Sequence, residues 1–482
     1  MDNAIRPQKW DRPLRPAGKM ERTADFVSTR KTSPRILFLA HRVPYPPNRG
    51  DRIRSFHLLR FLASRATVDL AFCCEKPPTT ATIEALNSLC DRVLAAPLGR
   101  CARWFRGAAS MVRGRTVTEG LFHTPRLERT IRRWAAERRY AAVFAFCSSM
   151  APYTRAPEFA GVPAVVDLVD VDSQKWLDYA ARTRGWRGRL LALEGSRLRQ
   201  LEAELPRQAA AVLLVSEAET ALFRTFSPAE NVYAIGNGVD LDYFRAQPSA
   251  RRMALSGSEQ APIADTAEAV PDQVSPRASA GQAEVPPSCL FVGALDYQAN
   301  LDGLVWFCRE VWPQVCRKLP SARFSIVGSN PSPAALRLRE IEGVELVGPV
   351  DDVRPHLAAA HCVAVPLRIA RGIQNKVLEA MAAGRAVVAS PQALEGLAAE
   401  PGGHVLRAAE PPEWVDTLTR LLVDGSLRER LGAAGRRYVE THHDWQVQLE
   451  PMFALPGLEC LRPPVMRRPQ LAAQTVGRED RE

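Results

Sequence analysis

The residues best suited to chemistry lie in one stretch, HCVAVPLRIARGIQNKVLEAMAAGRAVVAS, at positions 361–390. Its basic loop carries Arg368, Arg371 and Gly372, and a predicted helix begins one or two residues later. A helix N-terminus presents unpaired N–H groups and partial positive charge, and a glycine lets a ligand approach the backbone. With Lys376 in the first helical turn, this arrangement suits the binding of a diphosphate.

Glu379 follows Lys376 by three residues, so both side chains lie on one face of the predicted helix. A carboxylate there is able to accept hydrogen bonds from two vicinal ribose hydroxyls. The alternative is an exposed ion pair that contributes only about a few tenths of a kcal/mol. The basic loop directly before the helix favours the binding site.

Short apolar runs that alternate with helical stretches surround this segment and must position it. They are RILFLA (35–40), VDLAFCC (68–74), AAVFAF (141–146), PAVVDLVDV (163–171), AAVLLVS (210–216), SCLFVGAL (288–295), RFSIVGS (323–329), VELVG (344–348), HCVAVPL (361–367) and RAVVAS (385–390). Continuous apolar strands between amphipathic helices are typical of parallel sheets covered on both faces. We predict an α/β protein with two Rossmann-like domains, at 33–240 and 288–440, that face each other across a ligand cleft.

Three segments lack this alternation. Residues 1–32 and 457–482 are rich in Arg and Pro, and we predict disordered tails there. Residues 246–287 are dominated by Ala, Pro, Ser, Gln and Glu without an aromatic residue, which indicates a flexible insertion or linker. Between the second domain and the last tail, we predict that residues 441–456 form a helix returning toward the first domain.

Several classes of protein are disfavoured. No strand is followed by G-x-G-x-x-G or by a P-loop, which argues against dinucleotide and ATP sites of those kinds. The ten cysteines form no C-x-x-C pair and no Cys/His cluster at metal spacing, as expected of buried thiols in a reducing compartment. Without a membrane-spanning apolar run or a signal-peptide h-region, a cytoplasmic protein is expected.

The positive charge is concentrated in the first half of the chain. Residues 33–240 contain 30 Lys and Arg against 20 Asp and Glu, whereas residues 287–445 contain 17 against 18. Residues 100–139 alone carry eleven arginines against three glutamates, with apolar residues among them (Trp104, Phe105, Leu121, Phe122, Leu127 and Trp134). No nucleic-acid-binding motif accompanies these arginines. Attraction to an anionic membrane surface, a helical face that is merely solvated, and pairing with a partner protein remain as interpretations.

The pattern PLR-x-x-x-G-x-x-x-K-x-LEAMA-x-G-x-x-VVAS, preceded by VELVGPVDDVRPHLAAA (344–360), resembles the donor half of retaining glycosyltransferase family 4, which has the GT-B fold. FVGALDYQANLDGLVWFCREVWP (291–313) and NVYAIGNGVDLDYF (231–244) fit the same family. The opening RILFLAHRVPYPPNRGDRIRSFHLLRFLA and VDLVDVDSQKW (166–176) are similar to bacterial sugar transferases associated with exosortase (PEP-CTERM) exopolysaccharide loci. The resemblance covers roughly 34–455 apart from the insertion.

The resemblance implies roles for residues on both sides of the cleft. Glu379 would bind the ribose of a nucleotide-sugar, while Lys376 and Arg368 would neutralise its diphosphate. The backbone from Gly348 to Val350 would run alongside the base of the nucleotide. No cofactor and no metal are implied, since the nucleotide-sugar is a substrate.

In the facing domain, Gly50 would approach the phosphates, and Asp51 and Arg52 would lie near the donor sugar or the acceptor. Asp51, together with Asp170 and Asp172, is also a carboxylate worth testing for catalysis. Asp170 and Asp172 are equally suited to capping a helix. His41 follows the first strand, where it either faces the cleft or has a structural role.

Two departures from the family pattern bear on the site. Arg371 stands where many members have a glutamate that contacts the transferred sugar, and Ala294 and Asn300 stand where many have Arg and Lys. The phosphate-binding role then passes to Arg368, Arg371 and Lys376, and sugar specificity cannot be carried over.

The resemblance implies an enzyme that moves a sugar from a nucleotide-sugar to a glycan or polyprenyl-diphosphate-linked glycan with retention, in bacterial exopolysaccharide biosynthesis. A basic site would stabilise the diphosphate leaving group, and a phosphate oxygen would take the acceptor proton. The basic first domain would hold the protein on the inner face of the cytoplasmic membrane. The alternatives are a non-catalytic nucleotide-sugar-binding or scaffold protein of a polysaccharide assembly complex, and a GT-B nucleotide-sugar epimerase.

Overall fold

The structure is a computed structural model that describes residues 33–47, 50–245, 286–370 and 372–462; the Asp51 side chain is not among the described parts. The tail predicted at 1–32 and Arg371 therefore lie outside the described residues. So do residues 246–285 of the predicted linker and residues 463–482 of the second predicted tail.

Thirteen strands are present among the described residues, in two parallel sheets. They are β1 Arg35–Ala40, β2 Thr67–Cys74, β3 Arg92–Pro97, β4 Ala142–Phe146, β5 Ala164–Val169, β6 Ala211–Leu214, β7 Val232–Ala234, β8 Ser288–Val292, β9 Arg323–Val327, β10 Val344–Gly348, β11 Cys362–Val365, β12 Ala386–Ala389 and β13 Leu406–Arg407. The first sheet has the order β3-β2-β1-β4-β5-β6-β7, and the second β10-β9-β8-β11-β12-β13. Two Rossmann-like α/β domains are thereby confirmed.

Helices cover both faces of each sheet. The α-helices are α1 Gly50–Ala63, α2 Thr80–Asn87, α3 Arg100–Val112, α4 Val117–Phe122, α5 Pro125–Glu137, α6 Asp172–Arg182, α7 Trp186–Gln208, α8 Glu217–Arg224, α9 Gln298–Trp306, α10 Trp312–Lys318, α11 Pro333–Leu336, α12 Arg354–Ala359, α13 Asn375–Ala382, α14 Pro391–Leu394, α15 Pro411–Val423, α16 Gly425–His442 and α17 Trp445–Leu449. A π-helical turn (Phe307–Val311) joins α9 to α10. The 3-10 turns are Ser148–Arg155, Pro157–Phe159, Arg337–Glu340, Glu450–Ala454 and Glu459–Leu461.

Alternation of side chains along the strands builds one core on each face of each sheet. In β1, Phe38 points into one core of the first domain, whereas Leu37 and Leu39 point into the other. Cys289 and Leu290 of β8 divide in the same way between the two cores of the second domain. All five of these side chains are at most 1% exposed, as expected of parallel strands between two helical layers.

The chain returns to the first domain after α16. Trp445 of α17 stacks on His57 of α1, with ring centroids 4.5 Å apart. Leu458 and Leu461 are buried in the same core as Trp445. The packed chain therefore extends to residue 462, which corrects the predicted start of the last tail at 457: leucines three residues apart form an apolar face that the Pro- and Arg-rich composition conceals.

In each sheet the strand order reverses beside the first strand, between β1 and β4 and between β8 and β11. Parallel sheets bind ligands at the carboxyl ends of the strands at such a reversal. In the first domain, the loop before Gly50 follows β1; in the second, the basic loop follows β11. The fold thus places both predicted loops at ligand-binding edges.

Candidate functional site

Helix α13 carries the two predicted nucleotide-binding side chains, Lys376 and Glu379, both half-buried. Lys376 Nζ donates a hydrogen bond to Asn300 Oδ1 at 2.6 Å and lies 5.3 Å from the centroid of the Phe291 ring. Asn300 is itself fixed, because its Nδ2 donates to the carbonyl oxygen of Ala294 at 2.8 Å. The two residues that depart from the family pattern, Ala294 and Asn300, therefore orient the lysine.

The ionisation of this pair is shifted by its surroundings. Burial lowers the pKa of Lys376 to about 8, although the charge of Glu379 opposes the shift. Burial raises the pKa of Glu379 to about 7, and Lys376 opposes that shift. Desolvation outweighs the mutual attraction in both cases. Both groups thus titrate close to neutral pH in the ligand-free site.

The basic loop before α13 is exposed at Arg368 but lies close to the first domain at Gly372. The Arg368 side chain is 55% exposed, and its Nη1 lies 3.7 Å from Asp302 Oδ1. Gly372 has φ +61°, in the left-handed region that favours glycine. A Cβ added to Gly372 would lie 2.2 Å from Asp170 Oδ1 and 2.9 Å from Val215 Cγ1. This glycine therefore allows the second domain to approach the first.

The loop after β5 supplies Asp170. Burial raises the pKa of Asp170 to about 7, and repulsion from the nearby carboxylates Glu219 and Asp172 adds to this shift. The backbone N–H of Val171 donates to Glu219 Oε2 at 2.7 Å. No side-chain hydrogen bond caps α6, so neither Asp170 nor Asp172 acts as its cap. The capping interpretation of these aspartates is therefore wrong.

A second buried carboxylate, Glu202, completes the support of this loop. It accepts hydrogen bonds from the backbone N–H of Ser173 at 3.1 Å and from the Ser173 hydroxyl. Burial raises the pKa of Glu202 to about 8. Sequence reasoning missed Glu202 and Glu219, because each lies in a helical stretch that reads as an ordinary amphipathic face.

The first-domain loop after β1 meets α13 directly. Gly50 begins α1, and a Cβ on it would lie 3.9 Å from Asn375 Nδ2. Asp51 follows it in the same helix, and Arg52 is half-buried there. His41 is half-buried, with its ring 5.4 Å from that of Phe122 and 5.8 Å from that of Phe146.

A chain of hydrogen bonds runs from the first sheet to α13. Arg54 is fully buried, and its Nε donates to Asp167 Oδ2 at 2.9 Å. Its Nη1 donates to Asn237 Oδ1 at 2.9 Å, and Asn237 Nδ2 donates to Asn375 Oδ1 at 3.0 Å. Asn375 is the first residue of α13, so this chain fixes the helix start against the first domain.

Gly348 and Val350 lie on the opposite side of the site. Gly348 has φ +81° at the end of β10, and its carbonyl oxygen accepts from the N–H of Gly328 at 2.8 Å. Val350 packs on the core that contains Leu378 and Met381 of α13. This backbone therefore borders the helix that carries Glu379.

A cavity of about 40 Å³ opens between the two domains beside Asp170. Helix α6 contributes a lysine, an aspartate, a tyrosine and an arginine, and the second domain contributes one tyrosine and the start of the basic loop. The lining residues are Asp170, Lys175, Asp178, Tyr179, Arg182, Tyr297, Ile369 and Ala370. The structure thus brings Gly50, Asp170, Gly372 and α13 together at one cleft, whereas the His41 ring packs among aromatic rings.

Comparisons with known proteins agree with this arrangement. Residues 286–424 match the family model described as Glycosyl transferases group 1. The GDP-mannose-dependent monoacylated alpha-(1-6)-phosphatidylinositol monomannoside mannosyltransferase of Corynebacterium glutamicum is 30% identical over 153 residues. That match spans 29% of this chain and 40% of the curated relative, which is less than half its length.

Similar solved structures extend over both domains. Sucrose-phosphate synthase from Thermosynechococcus elongatus superposes with a TM-score of 0.59 at 17% identity, over 87% of this chain and 98% of the other. HepE from Anabaena, in complex with UDP and glucose, gives a TM-score of 0.59 at 15% identity over the same shares. The chain therefore has the GT-B fold, and the likeness of its second domain to group 1 glycosyltransferases supports a glycosyltransferase.

Proposed function

We propose that this protein transfers a glycosyl group from a nucleoside diphosphate sugar to a hydroxyl of a glycan or polyprenyl-diphosphate-linked glycan. The observation that carries the proposal is that Gly50 lies next to Asn375 at the start of α13, directly after the Gly372 loop. The same helix bears Lys376 in its first turn and Glu379 one turn later. These elements provide a close backbone approach, a helix N-terminus, a cation and a carboxylate in one cleft.

In this proposal the second domain holds the donor. Lys376, assisted by Arg368 and the N–H groups that begin α13, neutralises the diphosphate. Glu379 accepts hydrogen bonds from the ribose hydroxyls, and the backbone from Gly348 to Val350 borders the base. Arg371 belongs to the same loop and is assigned to the phosphates.

The acceptor enters through the cavity beside Asp170. Tyr179 and Tyr297 line this cavity and offer aromatic surfaces for a sugar ring, while Lys175 and Asp178 offer polar groups for its hydroxyls. Asp51, Arg52 and Asp172 remain candidates on the same side. His41 has its ring among aromatic neighbours, which supports a structural role.

We propose that transfer proceeds with retention of the anomeric configuration. The bond from the anomeric carbon to the diphosphate oxygen breaks, the acceptor oxygen bonds to the same face, and the acceptor proton passes to the departing phosphate oxygen. No enzyme nucleophile is then required, and the cations around the diphosphate take the electrostatic role without a metal. The proposed setting is bacterial exopolysaccharide synthesis at the inner face of the cytoplasmic membrane.

Ligand binding tests the donor half of this proposal. UDP-glucose and GDP-mannose are suitable probes, because UDP occupies the similar HepE structure and the curated relative is named for GDP-mannose. A nucleotide-sugar at about 100 times its Kd stabilises a protein by about 2.7 kcal/mol, which a thermal shift detects. If neither these nor ADP-glucose raises the melting temperature, the donor assignment is wrong. Binding without transfer would favour the scaffold alternative, and isomerisation of the sugar without an acceptor would favour the epimerase.

A further inference from the structure

Exposed apolar side chains are concentrated on two helices of the first domain, α3 and α7. Six of the ten large apolar side chains that are exposed in the described part of the chain belong to them. We call these six the docking surface: Trp104, Phe105, Val112, Trp186, Leu190 and Leu193. Leu127 and Trp134, which the sequence grouped with Trp104 and Phe105, are instead buried, because α5 packs them against the first sheet.

Helix α3 has its apolar side outward. Its inner side consists of small residues: Gly107 would bring a Cβ within 3.2 Å of Val117, and Ser110 donates to the carbonyl oxygen of Thr116. Its outer side carries Phe105, 76% exposed, and Val112, 86% exposed. An arginine-rich helix that is merely solvated would present its charges outward instead, so that interpretation fails for α3.

Helix α7 continues the docking surface. Trp186, Leu190 and Leu193 lie on one stripe of the helix, because they follow at four and then three residues. Arg197 is the next member of this stripe, and its Nη1 donates to the carbonyl oxygens of Met111 at 2.6 Å and Arg115 at 3.1 Å. The stripe of α7 is therefore joined to the C-terminal end of α3.

The charge around the docking surface is predominantly positive, although Arg103 of α3 pairs with Glu75 at 2.6 Å. Residues 100–118 and 182–193 contain nine arginines and no Asp or Glu. Arg113, Arg115, Arg187 and Arg189 are exposed. Apolar and aromatic side chains surrounded by arginines are the combination by which peripheral proteins bind bilayers that contain anionic lipids.

We propose that the docking surface binds an anionic lipid bilayer, with Trp104, Phe105 and Trp186 in the interfacial region and the arginines at the headgroups. Its position suits a lipid-linked acceptor, because Arg182 lines the cavity beside Asp170 and Trp186 begins the next helix only four residues later. This inference rests on the membrane setting of the proposed function, but binding to lipid does not require transferase activity, so the two are tested separately.

Co-sedimentation with vesicles tests the inference on the full-length chain. We expect pelleting with vesicles of phosphatidylcholine and phosphatidylglycerol at low salt, and release at high salt. The variant Phe105→Ser/Trp186→Ser is expected to lower the partition coefficient by about tenfold or more, since two interfacial aromatic groups are lost. Val423→Ser/Val447→Ser is the matched control, because both valines are exposed on helices other than α3 and α7, and it should pellet like the parent.

Three results would overturn the inference. They are equal pelleting with purely zwitterionic vesicles, unchanged partitioning of Phe105→Ser/Trp186→Ser, and a dimer in sedimentation velocity that this variant converts to monomer. The last would assign the surface to a second copy of the chain. The melting temperature and transfer to a short water-soluble acceptor should be the same in variant and parent, so a failure of the proposed function is recognised separately.

Discussion

At the scale of single residues, the proposed binding of the donor depends on Lys376 and Glu379. We expect Glu379→Ala and Lys376→Ala each to weaken nucleotide binding by ~1.5–3 kcal/mol, because each loses a charge-assisted hydrogen bond to the ligand. Calorimetric titration with the nucleotide-sugar measures the change. Lys318→Ala is the control, since it removes an exposed ion pair with Asp416 in the same domain. Parental affinity in both site variants would refute their assignment.

The pKa values of this pair predict how binding depends on pH. Ribose hydroxyls favour the ionised form of Glu379, so affinity should fall as the pH drops below about 7, where the free carboxylate takes up a proton. The diphosphate favours charged Lys376, so affinity should also fall above about 8, where the free amine loses its proton. Each limb approaches about tenfold per pH unit.

Titration of nucleotide-sugar affinity from acid to alkaline pH tests this dependence. Glu379→Gln should remove the acid limb and leave the alkaline limb, because it retains an amide in place of the carboxylate. A maximum well outside the interval between the two pKa values, or an acid limb that persists in Glu379→Gln, would contradict the prediction.

The contact between Asn300 and Lys376 could not be predicted from the sequence. In the sequence Asn300 is a departure from the family pattern, and nothing near it indicates a partner. The structure brings its Oδ1 to Lys376 Nζ, a contact between residues 76 positions apart. Lys376 and Glu379 were predictable because helical periodicity alone places them together, whereas their supporting contacts come from the packing of separate strands and helices.

At the scale of elements, the loop before α13 must pass close to the first domain. Gly372→Ala should reduce kcat/KM by at least about tenfold, because the new methyl group meets Asp170 and the φ of +61° is strained for alanine. Gly402→Ala is the matched control: its φ is +86°, but no atom lies within 4 Å of the added Cβ. Similar losses in both variants would attribute the effect to backbone strain alone.

The hydrogen-bond chain through Arg54 predicts that substitutions there affect the stability of the protein and its activity to different extents. Arg54→Met leaves Asp167 buried without its cation and should destabilise the protein by ~3–5 kcal/mol. Arg54→Met/Asp167→Leu removes both charges and should regain most of that stability. In the double variant, Asn237 still lacks the hydrogen bond from Arg54 that holds it beside Asn375, so kcat/KM should stay low. Denaturant unfolding and donor titrations measure the two effects; full recovery of both would reduce Arg54 to a packing role.

Most strands were predictable, since long apolar runs such as RILFLA correspond to β1 at Arg35–Ala40 without change. The missed strands are short or half-buried. Strand β7 has three residues and β13 two, and β3 is mostly half-buried at the edge of its sheet. Such segments obtain their conformation from a neighbouring strand rather than from their own composition, which explains why no hydrophobic period marks them.

At the scale of the whole molecule, the chain passes between the domains twice, near Val239 and near His443, and these two segments lie side by side. The N–H of Val239 donates to the carbonyl oxygen of His443 at 2.7 Å, and His443 Nδ1 lies 3.0 Å from the carbonyl oxygen of Asn237. The cleft, α13 and the cavity beside Asp170 all lie between the domains that these two segments connect.

Among the described residues, no helix is long and apolar enough to span a membrane.

The proposed reaction is the transfer of a sugar from a nucleotide to an acceptor hydroxyl. The most direct measurement follows a radiolabelled nucleotide-sugar incubated with the protein and a polyprenyl-diphosphate-linked glycan. We predict that label appears in the lipid-linked product in equal amount to the nucleoside diphosphate released, and that the product keeps the donor's anomeric configuration. At limiting donor concentration, Glu379→Ala should slow the transfer by about tenfold or more. Label that stays on intact donor with every acceptor, or that changes to an isomeric sugar without acceptor, would contradict the claim.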